Sequence, residues 1–228
     1  MKRSRINEIM ADAQNLLDRA CISLPPFAAW GVDDFRVRAD EVRDTIIDQR
    51  LGWDITDYGQ GDFDRLGLFL FTVRNGSLAE LQAGRGRVYA EKLLISQVDQ
   101  ISPMHTHVIK TEDIINRWGG TLAVRLYGSD ETGRIDKSAG TRVFCDGIYR
   151  DIPPGDVLRL SPGESVTLCP GDWHEFWAEG EPTLIGEVST VNDDETDNIF
   201  EAPIGRFADV EEDATPRHLL VSDYRNWL

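Results

Sequence analysis

Residues 105–129 read HTHVIKTEDIINRWGGTLAVRLYGS. His105 and His107 lie one residue apart, and on a β-strand such a pair points to one face. Glu112 is out of phase with that alternation, so a bend between Val108 and Thr111 is required to bring its carboxylate to the same side. TLAVRLYGS then supplies a second alternating run. A further histidine, His174 in PGDWHEFW, opens another strand and shares its side with Phe176. The chain holds four histidines, and three fall in these runs. His105, His107, Glu112 and His174 together form a candidate divalent-metal shell. Neutral imidazole and carboxylate suit manganese, zinc, iron, cobalt or nickel, and four protein donors leave a position open for water or substrate.

The pattern extends outward from this stretch. From residue 63 onward, short apolar or alternating runs recur between Gly, Pro, Asp and Asn: LGLFLFTVRN, VYAEKLLISQVDQ, TLAVRLYGS, TRVFCDGIYRDI, DVLRLSP, ESVTLCPG, HEFWAEG and TLIGEVSTV. Short strands at this spacing predict a mainly β protein, a sandwich or barrel. Upstream, Ile6, Ile9, Met10, Ala13, Leu16, Leu17 and Ala20 recur at helical spacing, with Pro25 and Pro26 after them. A second helix is expected over 39–49 with Asp40 as its N-cap. The expected organisation is an N-terminal helical extension over 1–62, packed on a barrel over 63–228 that ends in a loop-rich tail.

The 228 residues carry 24 basic and 40 acidic side chains, a formal net charge of −16. Phosphate binding needs clustered Lys and Arg, so nucleic acid is not the expected partner, and neither is an anionic membrane surface. Three cysteines without repeated spacing do not form a disulfide framework. The amphipathic start lacks the apolar core of a signal peptide. These features fit a cytoplasmic protein.

The metal residues resemble the two-motif signature of the cupin superfamily. His105-Thr106-His107, four residues, Glu112, six residues and Gly119 follow the first motif, with Asp99 where its leading Gly stands. Gly163 and Pro170-Gly171-Asp172-Trp173-His174 follow the second; Pro170 is displaced by one position, and Ala178 replaces the usual Asn. A longer match covers most of the chain. HTHVIKTEDIINRWGGTLAVRLY, PGESVTLCPGDWHEFWAEG, GEVSTVNDDETDNIF and the helical N-terminus are similar to the D-lyxose isomerases. That resemblance implies a cupin-type jelly-roll barrel, a manganese cofactor and a homodimer. It also implies interconversion of D-lyxose with D-xylulose, and of D-mannose with D-fructose, on a monosaccharide substrate.

Moving a proton between C1 and C2 through a cis-enediol needs a base, a carbonyl electrophile and a proton path between O1 and O2. Lys110, in the bend before Glu112, is a candidate donor to a substrate oxygen. Lys92 sits in an otherwise apolar strand; if it shares the face of Leu94 it points inward and demands a charged partner. Glu187, in TLIGEVSTV, is the candidate general base. Trp118, Trp173, Phe176 and Trp177 are read first as packing residues, NDDETDN as a solvated loop and His218 as structural. A hydride shift is the competing chemistry. An iron(II) dioxygenase on the same shell and a non-catalytic sugar-binding cupin are the alternatives from other classes.

Overall fold

The run LFLF has no polar face because both of its faces are buried. In the computed structural model, which describes residues 1–194 and 196–228, strand β2 (Leu68–Arg74) turns Leu68 and Leu70 into the barrel. Its Phe69 and Phe71 point the opposite way, under helix α1 (Arg3–Arg19). Strand β3 (Tyr89–Ser96) repeats the arrangement, with Leu94 inside the barrel and Ile95 beneath the helix. α1 covers this sheet with the predicted stripe, Ile6, Ile9, Met10, Ala13, Leu16 and Leu17, all buried. Met10 is fully enclosed there. Met10→Ala is therefore expected to destabilise the protein by about 2–5 kcal/mol, read from the midpoint of a urea unfolding curve. An unchanged midpoint would show that α1 is a loose appendage.

The antiparallel sheet also contains β1 (Gly52–Thr56), β4 (Ser102–His107), β5 (Glu112–Ser129), β6 (Ile135–Asp136), β7 (Thr141–Cys145), β8 (Ile148–Ile152), β9 (Val157–Leu160), β10 (Ser165–Leu168), β11 (Trp173–Thr190) and β12 (Asn198–Phe200). Its main path runs β1-β2-β3-β11-β5-β10-β7-β8, with β12 and β4 alongside β11 and with β6 and β9 on β5. This is the expected cupin-type barrel, mainly β with a helical N-terminus. Val124, Leu126, Val166, Leu168, Phe176 and Ile185 fill its interior beside Leu68 and Leu94. Among the described residues no helix is long and apolar enough to cross a membrane.

Four local expectations are corrected. The second helix, α2, spans Val32–Val42 and passes into one π-helical turn at Arg43–Ile47; its N-cap is Gly31, and Asp40 lies in its interior. The start is set by the Asp34 carboxylate, which accepts from the Gly31 backbone N–H at 3.0 Å. The segment before residue 63 also holds β1, an edge strand whose Trp53 and Ile55 complete the core under α1. HEFWAEG and TLIGEVSTV are one strand, β11, and the run IINRW belongs to β5 with TLAVRLYGS. The glycines that read as breaks are corners. At Gly119 the backbone has φ +101°, and a Cβ there would lie 2.1 Å from the Pro182 carbonyl oxygen. β5 and β11 turn together at this point, with a register shift between Glu179 and Thr183. Asp99, which replaces the glycine of the cupin motif, has φ +59°. Aspartate tolerates that left-handed conformation better than most residues, so the departure preserves the turn that leads into β4.

Candidate metal centre and active site

The strand pairing assembles the four candidate ligands. His105 and His107 leave β4 on one side, and His105 faces His174 across the β4–β11 register. Their ring centroids lie 4.1 Å apart. Glu112 begins β5 after a bend at 108–111, as its phase requires. One donor atom from each of the four lies within 4.8 Å of the others. Glu112 Oε1 stands 3.2 Å from His107 Nε2 and 3.3 Å from His174 Nε2.

The fit of this cluster to a cation rests on its unmatched nitrogens. His107 Nδ1 and Nε2 and His174 Nε2 are buried without a hydrogen-bond partner. Leaving such groups unpaired costs about 1–3 kcal/mol each. The outer nitrogens of two rings are fixed: His105 Nδ1 lies 2.8 Å from the Pro103 carbonyl and His174 Nδ1 lies 3.1 Å from that of Asp172. A carbonyl can only accept, so Nδ1 carries the proton in both and the Nε2 lone pairs are left for a ligand. Burial, reinforced by His174 and His107, holds His105 well below the usual histidine range; burial and the Lys110 ammonium lower His107. Both are therefore neutral, the form that binds metal. Burial opposes charge on Glu112, but the Lys110 ammonium outweighs it and holds the carboxyl well below its ordinary range.

The bend carrying Lys110 is built around one carboxylate. Asp197 Oδ1 accepts from the backbone N–H groups of Val108 and Ile109 at 3.0 and 2.7 Å, and Oδ2 accepts from that of Lys110 at 3.0 Å. NDDETDN, read as a solvated loop, is corrected here: Asp197 is buried, and the Asp194 side chain, 9% exposed, faces Lys92 in the site. Asp197→Ala leaves the Ile109 and Lys110 N–H groups without their acceptor, Val108 keeping the Asp197 backbone carbonyl at 3.2 Å, and releases the approach of Glu112. It is expected to weaken divalent-metal binding by about 10- to 100-fold in a calorimetric titration. Equal affinity in the variant would show that the bend holds without its cap.

A row of alternating charges runs from the metal cluster along the pocket wall. Lys110 Nζ lies 2.6 Å from Glu112 Oε2 and 3.0 Å from Glu187 Oε1. Lys92 Nζ lies 3.3 Å from Glu187 Oε1, 3.8 Å from Asp194 Oδ1 and 2.6 Å from Asn192 Oδ1. Arg206 Nε lies 3.4 Å from Asp194 Oδ1, and its Nη2 donates to Asp54 Oδ2 at 2.8 Å. Lys92 and Glu187 face each other in the β3–β11 register, on the face that also carries Leu94 and Ile185. Burial pulls the Lys110 ammonium down, but Glu112 and Glu187 outweigh it and raise its pKa above the usual lysine range. Burial likewise disfavours charge on Asp194, yet Arg206, Lys92 and Lys110 hold it far below the usual carboxylate range.

All seven residues singled out from the sequence thus line one pocket, with a cavity volume of about 40 Å³. Tyr58, Phe176 and Phe200 complete the apolar wall. Burial pushes the Tyr58 phenol up to about 12, and its hydroxyl pairs with Ser102 at 3.1 Å. Of the aromatic set, Phe176 alone lines the site. Trp173 is buried and donates to the Gly133 carbonyl, while Trp118 and Trp177 sit beneath the guanidinium groups of Arg19 and Arg125. His218 is structural, stacked on Trp53 with ring centroids 5.2 Å apart. Sequence reasoning missed Asp54, Tyr58 and Arg206. Only the fold brings Tyr58 and Arg206 to the pocket, with Asp54 behind Arg206.

The family model for D-lyxose isomerase matches residues 1–224. Across the full length of both chains, the protein is 42% identical to the D-lyxose/D-mannose isomerase of Serratia proteamaculans over 231 residues. It is 40% identical to that of Escherichia coli O157:H7 over 229 residues, again covering both chains. Among solved structures, the L-ribose isomerase of Acinetobacter sp. DL28 in complex with L-ribose superposes with a TM-score of 0.60 at 17% identity. The superposition covers 92% of this chain and 98% of that one, a likeness of fold.

Proposed function

The chain belongs to the D-lyxose isomerase family, and from that premise we propose that it interconverts D-lyxose with D-xylulose, and D-mannose with D-fructose, by proton transfer through a cis-enediol. An aldose–ketose isomerase is what its family and its relatives' names support. The observation that carries the chemistry is the placement of Glu187 and Lys110 side by side, next to a buried His-His-Glu-His donor set.

His105, His107, Glu112 and His174 would hold a divalent cation, manganese in our reading. When bound, it would polarise the sugar carbonyl and stabilise negative charge on the adjacent oxygens. Glu187 takes the proton from C2 and returns it to C1, while the O2 hydroxyl proton passes to O1, so that the C1 carbonyl becomes a hydroxyl and C2 becomes the carbonyl. Lys92 and Lys110 each place Nζ against this carboxylate, at 3.3 and 3.0 Å from Oε1, and fix its position. Lys110 also reaches toward the substrate oxygens, where its N–H groups stabilise developing charge. Lys92 positions Glu187 from the far side. The apolar wall of Tyr58, Phe176 and Phe200 excludes water around the reacting carbons. We further read the protein as a cytoplasmic homodimer.

The test is conversion of D-lyxose and D-mannose by protein loaded with manganese, before and after chelation. Turnover of both sugars, lost on chelation and restored by manganese, is expected. Absence of turnover on any aldose by metal-loaded protein would overturn the reading. It would leave the iron(II) dioxygenase, tested by oxygen uptake, and the sugar-binding module.

A further inference from the structure

Arg206 has one nitrogen that the protein does not use. Its side chain is 10% exposed, Nη2 is held by Asp54 and Nε faces Asp194, yet Nη1 is buried without a hydrogen-bond partner. A guanidinium anchored from two sides has no rotational freedom with which to satisfy its last donors. An unpaired charged donor in a low-dielectric setting is expensive to keep. The residue lines the same pocket as the metal cluster. It stands at the remote end of the charge row, beyond Lys110, Glu187, Lys92 and Asp194.

We propose that Arg206 and Asp194 form the subsite for the end of the sugar remote from C1, with Arg206 Nη1 donating to the terminal hydroxyl and Asp194 accepting from it. This inference rests on the isomerase reading, which places C1 and C2 at the metal cluster. A chain extended from there along the charge row brings its last carbon to Arg206. A hydroxyl is both donor and acceptor and so matches a guanidinium beside a carboxylate. A terminal phosphate would not match. The guanidinium already faces Asp54 and Asp194 at 2.8 and 3.4 Å, so an anion would have to displace a carboxylate that a neutral hydroxyl can hydrogen-bond. The subsite thus selects an unphosphorylated sugar, by recognition of its terminal hydroxyl.

The test compares D-lyxose with 5-deoxy-D-lyxose on wild type and Arg206→Lys, each loaded with manganese and assayed for metal content. Wild type is expected to favour D-lyxose by about 10- to 100-fold in kcat/KM, the usual range for a hydrogen bond to a charged donor. The variant is expected to discriminate less than about threefold, because its shorter point charge cannot span Asp54, Asp194 and the hydroxyl. Asp194→Asn, which keeps the volume, is the second variant should Arg206→Lys not fold, and the same collapse of preference is expected. A preference for D-lyxose that survives in the folded variant overturns the proposal, as does absence of a preference in wild type. Calorimetric binding of both sugars separates this from the reaction itself. If wild type binds D-lyxose more tightly than the deoxy sugar but turns over neither, the isomerase reading fails and the subsite stands. If it turns over both sugars equally well, the subsite fails and the isomerase reading stands.

Discussion

Glu187→Gln is expected to lower kcat for D-lyxose by about 10²- to 10⁴-fold, the range for loss of a general base, while manganese still binds one per chain. The reason for that split lies in the contacts. Glu187 Oε1 touches Lys92 and Lys110 but is not one of the four clustered donors. Glutamine keeps an oxygen that accepts from both ammonium groups, so the fold and the lysines are retained while the basic site is lost. KM is expected to move by less than about threefold, because an interaction made only in the transition state lowers kcat and kcat/KM together. The measurement is steady-state kinetics on metal-analysed protein, with the wild-type reaction also run in deuterium oxide. Proton transfer by Glu187 predicts solvent deuterium at C2 of the D-lyxose formed from D-xylulose and at C1 of the D-xylulose formed in the forward direction. A hydride shift predicts none, and it predicts near-normal turnover by Glu187→Gln. Near-normal turnover by that variant sinks the assignment.

The contrast between Glu187 and Arg206 shows where sequence alone stops. Lys92 and Glu187 are charges in otherwise apolar strands, and a period of two says which neighbours share their face; the register then sets them opposite each other. The same reasoning reaches His105 and His107, and it demands the bend before Glu112. Arg206 and Asp54 carry no such signal. Arg206 lies in an irregular segment and Asp54 on the edge strand β1, at a sequence separation of 152 residues. Their meeting depends on topology, which local pattern does not encode. Asp197 is an intermediate case, a loop aspartate of the kind that caps backbone N–H groups, but the turn it caps lies 87 to 89 residues away. The same limit acted on the fold. Periodicity found α1 and the barrel strands, whereas Gly119 and Gly180 looked like breaks, because a positive-φ glycine marks a corner within a strand as readily as its end.

Arg3→Ala is expected to destabilise the protein by about 3–5 kcal/mol, the range for breaking a buried ion pair from one side. Arg3 is fully buried at the start of α1 and joins the two ends of the chain. Its Nη1 and Nη2 donate to the two carboxylate oxygens of Asp223 at 2.9 and 2.8 Å, and its Nε and Nη2 donate to Glu212 at 2.9 and 2.7 Å. Removing the guanidinium leaves Asp223, itself buried, facing a cavity without its cation. The Asp223 side chain also accepts from the Leu220 backbone N–H at 2.8 Å, so the loss reaches the C-terminal segment whose Leu220 pairs beside Trp53. Glu212 contributes less, since its side chain is 43% exposed and solvent screens the pair. Its hydrogen bond to Arg3 holds the carboxyl below its ordinary 4.5. A depressed carboxyl stabilises the fold above its unfolded pKa, and that share is lost as pH falls through the lower, folded value. Wild type is therefore expected to lose a small increment on acidification below 4.5 that Glu212→Gln does not show, while the Arg3→Ala deficit persists at neutral pH. Urea unfolding of the three proteins at neutral and acid pH measures both effects. A neutral-pH deficit under about 1 kcal/mol in Arg3→Ala would mean that α1 is held by its apolar face alone, with Ile6, Met10 and Leu17 sufficient to dock it on the barrel.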